Sequence, residues 1–251
     1  MKYIQSIQNP QIKQWKKLLT KKEREKTNTY ILEGFHLVEE ALHYRDDIIE
    51  IIVSEEADLP AYWDVSDISI TRVTPEISRI ISDTETTQGI FAICQIRNAT
   101  TKDLTGKSYL LLDGVQDPGN LGTMIRTADA AGIDMILLGK GTADIYNPKV
   151  LRSAQGSHFH VEFLSGNLQE WIPKLKAANV PIYGTALENG IPYKEVQPEP
   201  SFALILGNEG NGVSKEVLSL TDKNLYIPIF GKSESLNVAV AAGILMYYFK
   251  N

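Results

Sequence analysis

A chain of 251 residues holds one large domain or two small ones, and a hydrophobic content of 43% is enough for a buried core. A single cysteine excludes an intrachain disulfide, and no apolar run approaches the ~20 residues of a membrane span or forms an N-terminal signal h-region. The formal net charge of −6 is uneven: residues 1–26 carry eight Lys or Arg against Glu23 and Glu25, a net of +6, which leaves −12 for the rest.

The chain therefore reads as soluble and cytoplasmic, with one basic segment on an acidic protein. Asn9-Pro10 followed by Ile12, Trp15, Leu18 and Leu19 predicts an amphipathic helix, with Asn9 as N-cap and Pro10 in the first turn. Lysines occupy its other face. Lys16, Lys17, Lys21, Lys22 and Arg24 are candidate contacts to nucleic-acid phosphates, although an isolated lysine-rich helix is more often a solvated surface. Downstream, residues 30–34 read as a short strand and turn, and 36–44 as a helix. Residues 48–53 and 68–73 read as strands, 75–81 as a helix and 88–96 as an apolar strand containing Cys94, a buried structural thiol. Residues 1–96 thus form a small α/β domain.

Residues 97–108 are polar and aperiodic and are read as a linker. From residue 109 to 251 strands and helices alternate. Strands are expected at 109–113, 135–138, 160–164, 182–186, 202–206 and 225–229. Helices are expected at 121–131, 148–154, 168–178, 215–220 and 238–249. Near-continuous apolar strands between helices predict an α/β fold with a mainly parallel sheet covered on both faces.

Three polar blocks follow strands of this second domain. The first runs from Asp117 through Pro118, Gly119 and Asn120 to Arg126, with Asn120 expected as helix N-cap and Arg126 in the second helical turn. The second is Gly207-Asn208-Glu209-Gly210-Asn211-Gly212. The third is Ser233-Glu234-Ser235-Leu236-Asn237, with Ser235 or Asn237 as N-cap. Each alone reads as an ordinary turn or cap. Together, at the carboxyl ends of strands in one sheet, they predict a ligand site. Arg126 near a strand-to-helix loop suits a phosphate. There is no G-x-G-x-x-G after a strand, no Walker loop and no G-x-S-x-G elbow. His158 and His160 lack neighbours at ligand spacing, so no metal is expected.

At these residues the chain resembles the SpoU (TrmH-type) RNA 2′-O-ribose methyltransferases of the SPOUT superfamily. The carriers are Asp117 through Ala128, Leu206 through Gly210, and Ile227-Pro228-Ile229 with Ser235 through Ala239. Residues 24–95 resemble the family's accessory substrate-binding domain, an L30e-like fold, through Tyr30 to Gly34, Glu39-Glu40-Ala41 and Thr87 to Ile90. The middle segment Ser153-Ala154-Gln155-Gly156-Ser157 departs from the family pattern.

The resemblance implies a trefoil-knotted catalytic domain, a homodimer with a shared site, and S-adenosyl-L-methionine as cofactor. It maps the cofactor to Thr185, Ala186, Gly207, Ile227, Ile229, Ser235 and Leu236. It maps catalysis to Asn120, Arg126, Glu209, Ser235 and Asn237. Arg126 is either the group that takes the ribose 2′-hydroxyl proton or a phosphate clamp and electrostatic stabiliser, the latter agreeing with a guanidinium's lasting charge. Methyl transfer to rRNA or tRNA is the leading reading. The alternative is a knotted RNA-binding or ribosome-assembly factor with little activity.

Overall fold

In the computed structural model of the protein, residues 2–44, 48–96 and 104–250 are described. In chain order the elements are β1 (Lys2–Ile4), α1 (Pro10–Lys17), α2 (Lys21–Thr27), β2 (Thr29–Glu33), α3 (Phe35–His43), β3 (Ile48–Ser54), β4 (Ser69–Val73), α4 (Pro75–Ile81) and β5 (Ile90–Gln95). They continue with β6 (Ser108–Asp113), α5 (Pro118–Ala130), β7 (Met135–Leu138), α6 (Pro148–Ala154), β8 (Glu162–Ser165), α7 (Leu168–Ala177), β9 (Ile182–Thr185) and β10 (Ile191–Pro192). Last come β11 (Phe202–Gly207), α8 (Lys215–Leu218), β12 (Lys223–Tyr226) and α9 (Val238–Phe249). The linker expected at 97–108 lies largely outside the described residues, and its last residue, Ser108, already belongs to β6.

The chain divides into two compact units, Met1–Arg97 with Asp144–Phe159, and Asn98–Ala143 with His160–Asn251. The first unit contains a mixed sheet in the order β1-β4-β3-β5-β2. Asn9 caps α1 by accepting from the Gln11 amide at 2.9 Å, and Ile12 and Trp15 face inward.

α2 was not expected as a separate helix. Its sequence, KKEREKT, has no apolar residue to show a period. What faces inward is Arg24, only 2% exposed. Its Nε and Nη2 donate to Asp144 Oδ2 at 2.9 and 2.6 Å, and Nη1 donates to the Leu18 carbonyl at 2.7 Å. Arg24 is therefore removed from the exposed lysine face expected to meet RNA.

Segment Asp144–Phe159 packs within this same unit. Leu151 joins the buried cluster of Tyr30, Leu32, Leu37 and Ile51, with Tyr146 and Phe159 against it. Burying side chains of this size is worth roughly 1.5–3 kcal/mol each. α6 ends at Gln155 in the left-handed region, followed by Gly156 at φ +91. A Cβ on Gly156 would lie 2.8 Å from Glu40 Cγ, so both backbone and space require glycine there.

The second unit has a sheet ordered β10-β12-β9-β11-β6-β7-β8, with every pairing parallel. α/β topology with a parallel sheet is as the strand pattern predicts. β8 begins two residues later than expected, at Glu162, and His160 before it pairs through Nδ1 with Asp129 Oδ2 at 2.8 Å. β12 ends at Tyr226, so Ile227, Pro228 and Ile229 lie beyond the strand rather than in it.

Candidate active site of the second unit

Parallel strands end on one edge, and four neighbours in the order β12-β9-β11-β6 end together. Leu225 is in register with Thr185, Ile205 with Gly184, and Gly207 with Asp113. The loops after these strands carry all three polar blocks.

Asp117, not Asn120, caps α5. Its Oδ1 accepts from the Asn120 amide at 2.8 Å, with Pro118 opening the helix. Pro118 was the available signal, since proline favours the first helical position. The earlier start places Arg126 in the third turn, not the second. Its side chain is exposed and makes no ion pair or hydrogen bond among the described residues.

Moving the cap frees Asn120 for another task. Glu209 Oε1 accepts from the Asp117 amide at 3.0 Å and from Asn120 Nδ2 at 3.1 Å, while Oε2 accepts from the Gln116 amide at 3.1 Å. Asn237 Nδ2 donates to Asn120 Oδ1 at 3.0 Å, and Asn237 Oδ1 caps α9 at the amides of Ala239 and Val240. The direction of this chain is forced at both ends. A carboxylate only accepts, so Asn120 must present its NH2 to Glu209, and helix N–H groups only donate, so Asn237 must present its oxygen to them. The two amide orientations left in between match. Burial alone would raise the Glu209 carboxyl, but the Gln116 and Asp117 amides and Asn120 hold it below the ordinary glutamate value. Both Glu209 oxygens thereby tie the loop after β11 to the start of α5.

Gly207 has a structural reason of its own. A Cβ there would lie 2.0 Å from Gly212 C, because Asn208 and Gly212 close the turn with paired backbone bonds. Asn208 Nδ2 also donates to the Gly114 carbonyl at 3.0 Å, and its Oδ1 accepts from the Gly210 and Asn211 amides. Asp113 Oδ2 takes Ser214 N and Oγ at 2.8 and 2.7 Å. The sequence placed Asn208 in a polar block without a role of its own and did not single out Asp113. Asn208 could have been found as the side chain that closes a glycine-rich turn, whereas nothing in sequence singles out Asp113.

Thr185 Oγ1 donates to the Ile205 carbonyl at 2.9 Å, and the Ala186 amide donates to the Leu225 carbonyl at 3.0 Å. Those donors are spent inside the sheet edge. Beyond β12 the opposite holds: from Ile229 to Ser235 no backbone N–H has a partner among the described residues. Ser235 offers its carbonyl to Ser233 Oγ at 2.8 Å, and Leu236 is 37% exposed. A row of unused main-chain groups beside an exposed aliphatic side chain suits a ligand with polar and apolar parts, as S-adenosylmethionine has. No set of three His, Cys, Asp or Glu able to hold a metal occurs among the described residues.

Residues 107–247, more than half the chain, match the model of the SpoU rRNA Methylase family. The chain belongs to that family. Residues 9–92 match the MRM3-like substrate binding domain, which agrees with the accessory role expected of the first unit. One relative, the 23S rRNA (guanosine(2553)-2′-O)-methyltransferase RlmP of Bacillus subtilis (strain 168), is 52% identical over 250 residues, covering 100% of both chains. Solved structures of an rRNA methyltransferase from Sinorhizobium meliloti, one with AdoMet bound, superpose with TM-score 0.89 at 30% identity, covering 99% of this chain and 97% of theirs. An RNA 2′-O ribose methyltransferase superposes with TM-score 0.85 at 28% identity, covering 98% of this chain and 97% of its own. Among the described residues, no helix is long and apolar enough to cross a membrane.

Proposed function

We infer that the protein is an S-adenosylmethionine-dependent RNA ribose 2′-O-methyltransferase acting on ribosomal RNA. The observation that carries this reading is the Glu209–Asn120–Asn237 chain, which joins the three blocks shared with SpoU enzymes at one sheet edge. End-to-end similarity to the Bacillus subtilis enzyme supports the same target class, a guanosine of 23S rRNA. The non-catalytic assembly-factor reading finds no support in the relatives.

We assign the cofactor to the strand ends and loops that carry Thr185, Ala186, Gly207, Ile227, Ile229, Ser235 and Leu236. Bound there, S-adenosylmethionine supplies a methyl group activated for attack by an oxygen nucleophile. The protein's task is to orient the ribose and stabilise its 2′-oxygen as the hydroxyl proton passes to solvent water. A guanidinium has five donors and no acceptor, so Arg126 acts as clamp on phosphate and developing negative charge. Asn120, Glu209 and Asn237 tie the three loops together, and we assign Ser235 to the same site.

Two further assignments complete the reading. α9 buries Ala239, Ala242, Leu245, Met246 and Phe249, yet leaves Val240, Ile244 and Tyr247 at 52, 36 and 50% exposure. That leftover apolar stripe supports a homodimer formed through α9. The family resemblance supports the trefoil knot. Cytoplasmic location follows from a ribosomal substrate.

The test is methyl transfer from labelled S-adenosylmethionine to 23S rRNA lacking the modification, followed by mapping of the 2′-O-methyl position. Label in the ribose of one guanosine is expected. Label in a base, or none, would overturn the reading.

A further inference from the structure

Phe230 is 98% exposed, far beyond the next most exposed phenyl or indole side chains and above Tyr62 at 76%. Scattered surface hydrophobics are normal, so exposure alone decides nothing. The position does. Phe230 stands in the loop between β12 and α9, and both ends of that loop are pinned. At one end Leu225 pairs with Thr185, and at the other Asn237 bonds Asn120, one link from Glu209. The loop that carries the ring is thus anchored at both ends to the proposed methyl-transfer site, and the ring itself is left open.

The residues that follow it are open, and apart from Leu236 they are polar or glycine. Residues 231–237 are exposed, Lys232 among them, and a Cβ on Gly231 would meet nothing within 4 Å. An apolar groove for another protein would place further hydrophobics around the ring. A bare ring next to a cation and a glycine instead has the makeup of a nucleic-acid contact, in which a base stacks on the ring while its phosphate meets the lysine.

We propose that Phe230 is a stacking platform for an unpaired RNA base next to the ribose to be methylated. It is a positioning residue that fixes the substrate at the site. This rests on the methyltransferase reading above and extends it to how the target nucleotide is held. Stacking of a base on an aromatic ring tolerates any base, so Phe230 contributes affinity and registration rather than base identity.

The test uses the full chain and an unmodified 23S rRNA transcript as probe. Phe230→Ala is expected to weaken RNA binding about 10-fold, since a stacked base is worth roughly one decade or more of affinity. Phe230→Leu keeps apolar bulk without a stacking face and should be as weak, while Phe230→Trp should restore binding. KM for RNA should rise more than kcat falls. Wild-type RNA affinity in Phe230→Leu would overturn the proposal. A parallel fall in S-adenosylmethionine affinity would also overturn it, by making the ring a cofactor cover. So would a shift to a smaller species in sedimentation, by making it a subunit contact. RNA affinity is read independently of turnover, so a wild-type protein that transfers no methyl group strikes the reaction, and the affinity series still decides the ring.

Discussion

Asn237 donates to Asn120 at 3.0 Å across 117 positions of sequence. That one bond ties the loop opening α5 to the loop opening α9, and Glu209 fixes the far side of Asn120. Replacing Asn120 with Ala removes the middle link. Methyl transfer should fall steeply, with a modest loss of stability of about 1 kcal/mol, the usual worth of a partly exposed hydrogen bond. Single-turnover rates and urea midpoints measure the two effects separately. Asn120→Asp should be worse, because it sets a second carboxylate against Glu209.

Glu209 also makes a pH prediction. Its folded value lies below the ordinary one, so it binds its proton more weakly when folded. The stability it lends is therefore present above the unfolded value and lost as pH falls through the folded value. Wild type should exceed Glu209→Gln in urea midpoint at neutral pH, and the gap should close in acid. A gap independent of pH would mean that the charge on Glu209 contributes nothing.

Arg126→Ala should abolish methyl transfer and leave S-adenosylmethionine affinity nearly intact in calorimetry. Arg126→Lys should fail as well, since the planar fork of donors is lost. Parallel loss of cofactor binding would move Arg126 to the cofactor side of the site.

Lys16, Lys17, Lys21 and Lys22 are exposed on α1 and α2, although Lys21 also pairs with Glu25 at 3.7 Å. Reversing the four to Glu should weaken RNA binding and flatten its salt dependence, as fewer counterions are released. Arg24→Ala should act differently. It strands Asp144 beside a site only 3% exposed, at a cost of about 3–5 kcal/mol in stability, with no direct change in salt slope.

Val240→Glu or Ile244→Glu should turn the proposed dimer into monomers in sedimentation, because a charge on the apolar stripe of α9 cannot be buried there. A fully active monomer would remove both the dimer and the idea of a shared site.

Where hydrophobic period and punctuation agree, sequence places elements well: α4, α6, α9 and β7 fall at their expected residues. It fails where a polar group does the work of an apolar one. α2 is anchored by a buried arginine, which no hydrophobic pattern registers. β1 and β10, with three and two residues, are too short for any period. In the candidate site, the residue types were legible but their wiring was not. Asn120 looked like a cap because Asn often is one, yet the competing carboxylate three residues earlier took that place. Hydrogen-bond partners 89 and 117 residues away leave no local trace.

The borrowing of Asp144–Phe159 by the first unit has a consequence for the chain as it is made. N-terminal domains ordinarily fold while the rest is still being synthesised. Here the cluster around Tyr30 and Leu32 stays short of Leu151, and Arg24 stays short of Asp144, until a further half-domain has left the ribosome. Synthesis up to about residue 97 yields a sheet with an open flank and an unpaired inward arginine. The two halves must mature together, and a nascent chain stalled between residues 97 and 144 should remain protease-sensitive until elongation delivers α6.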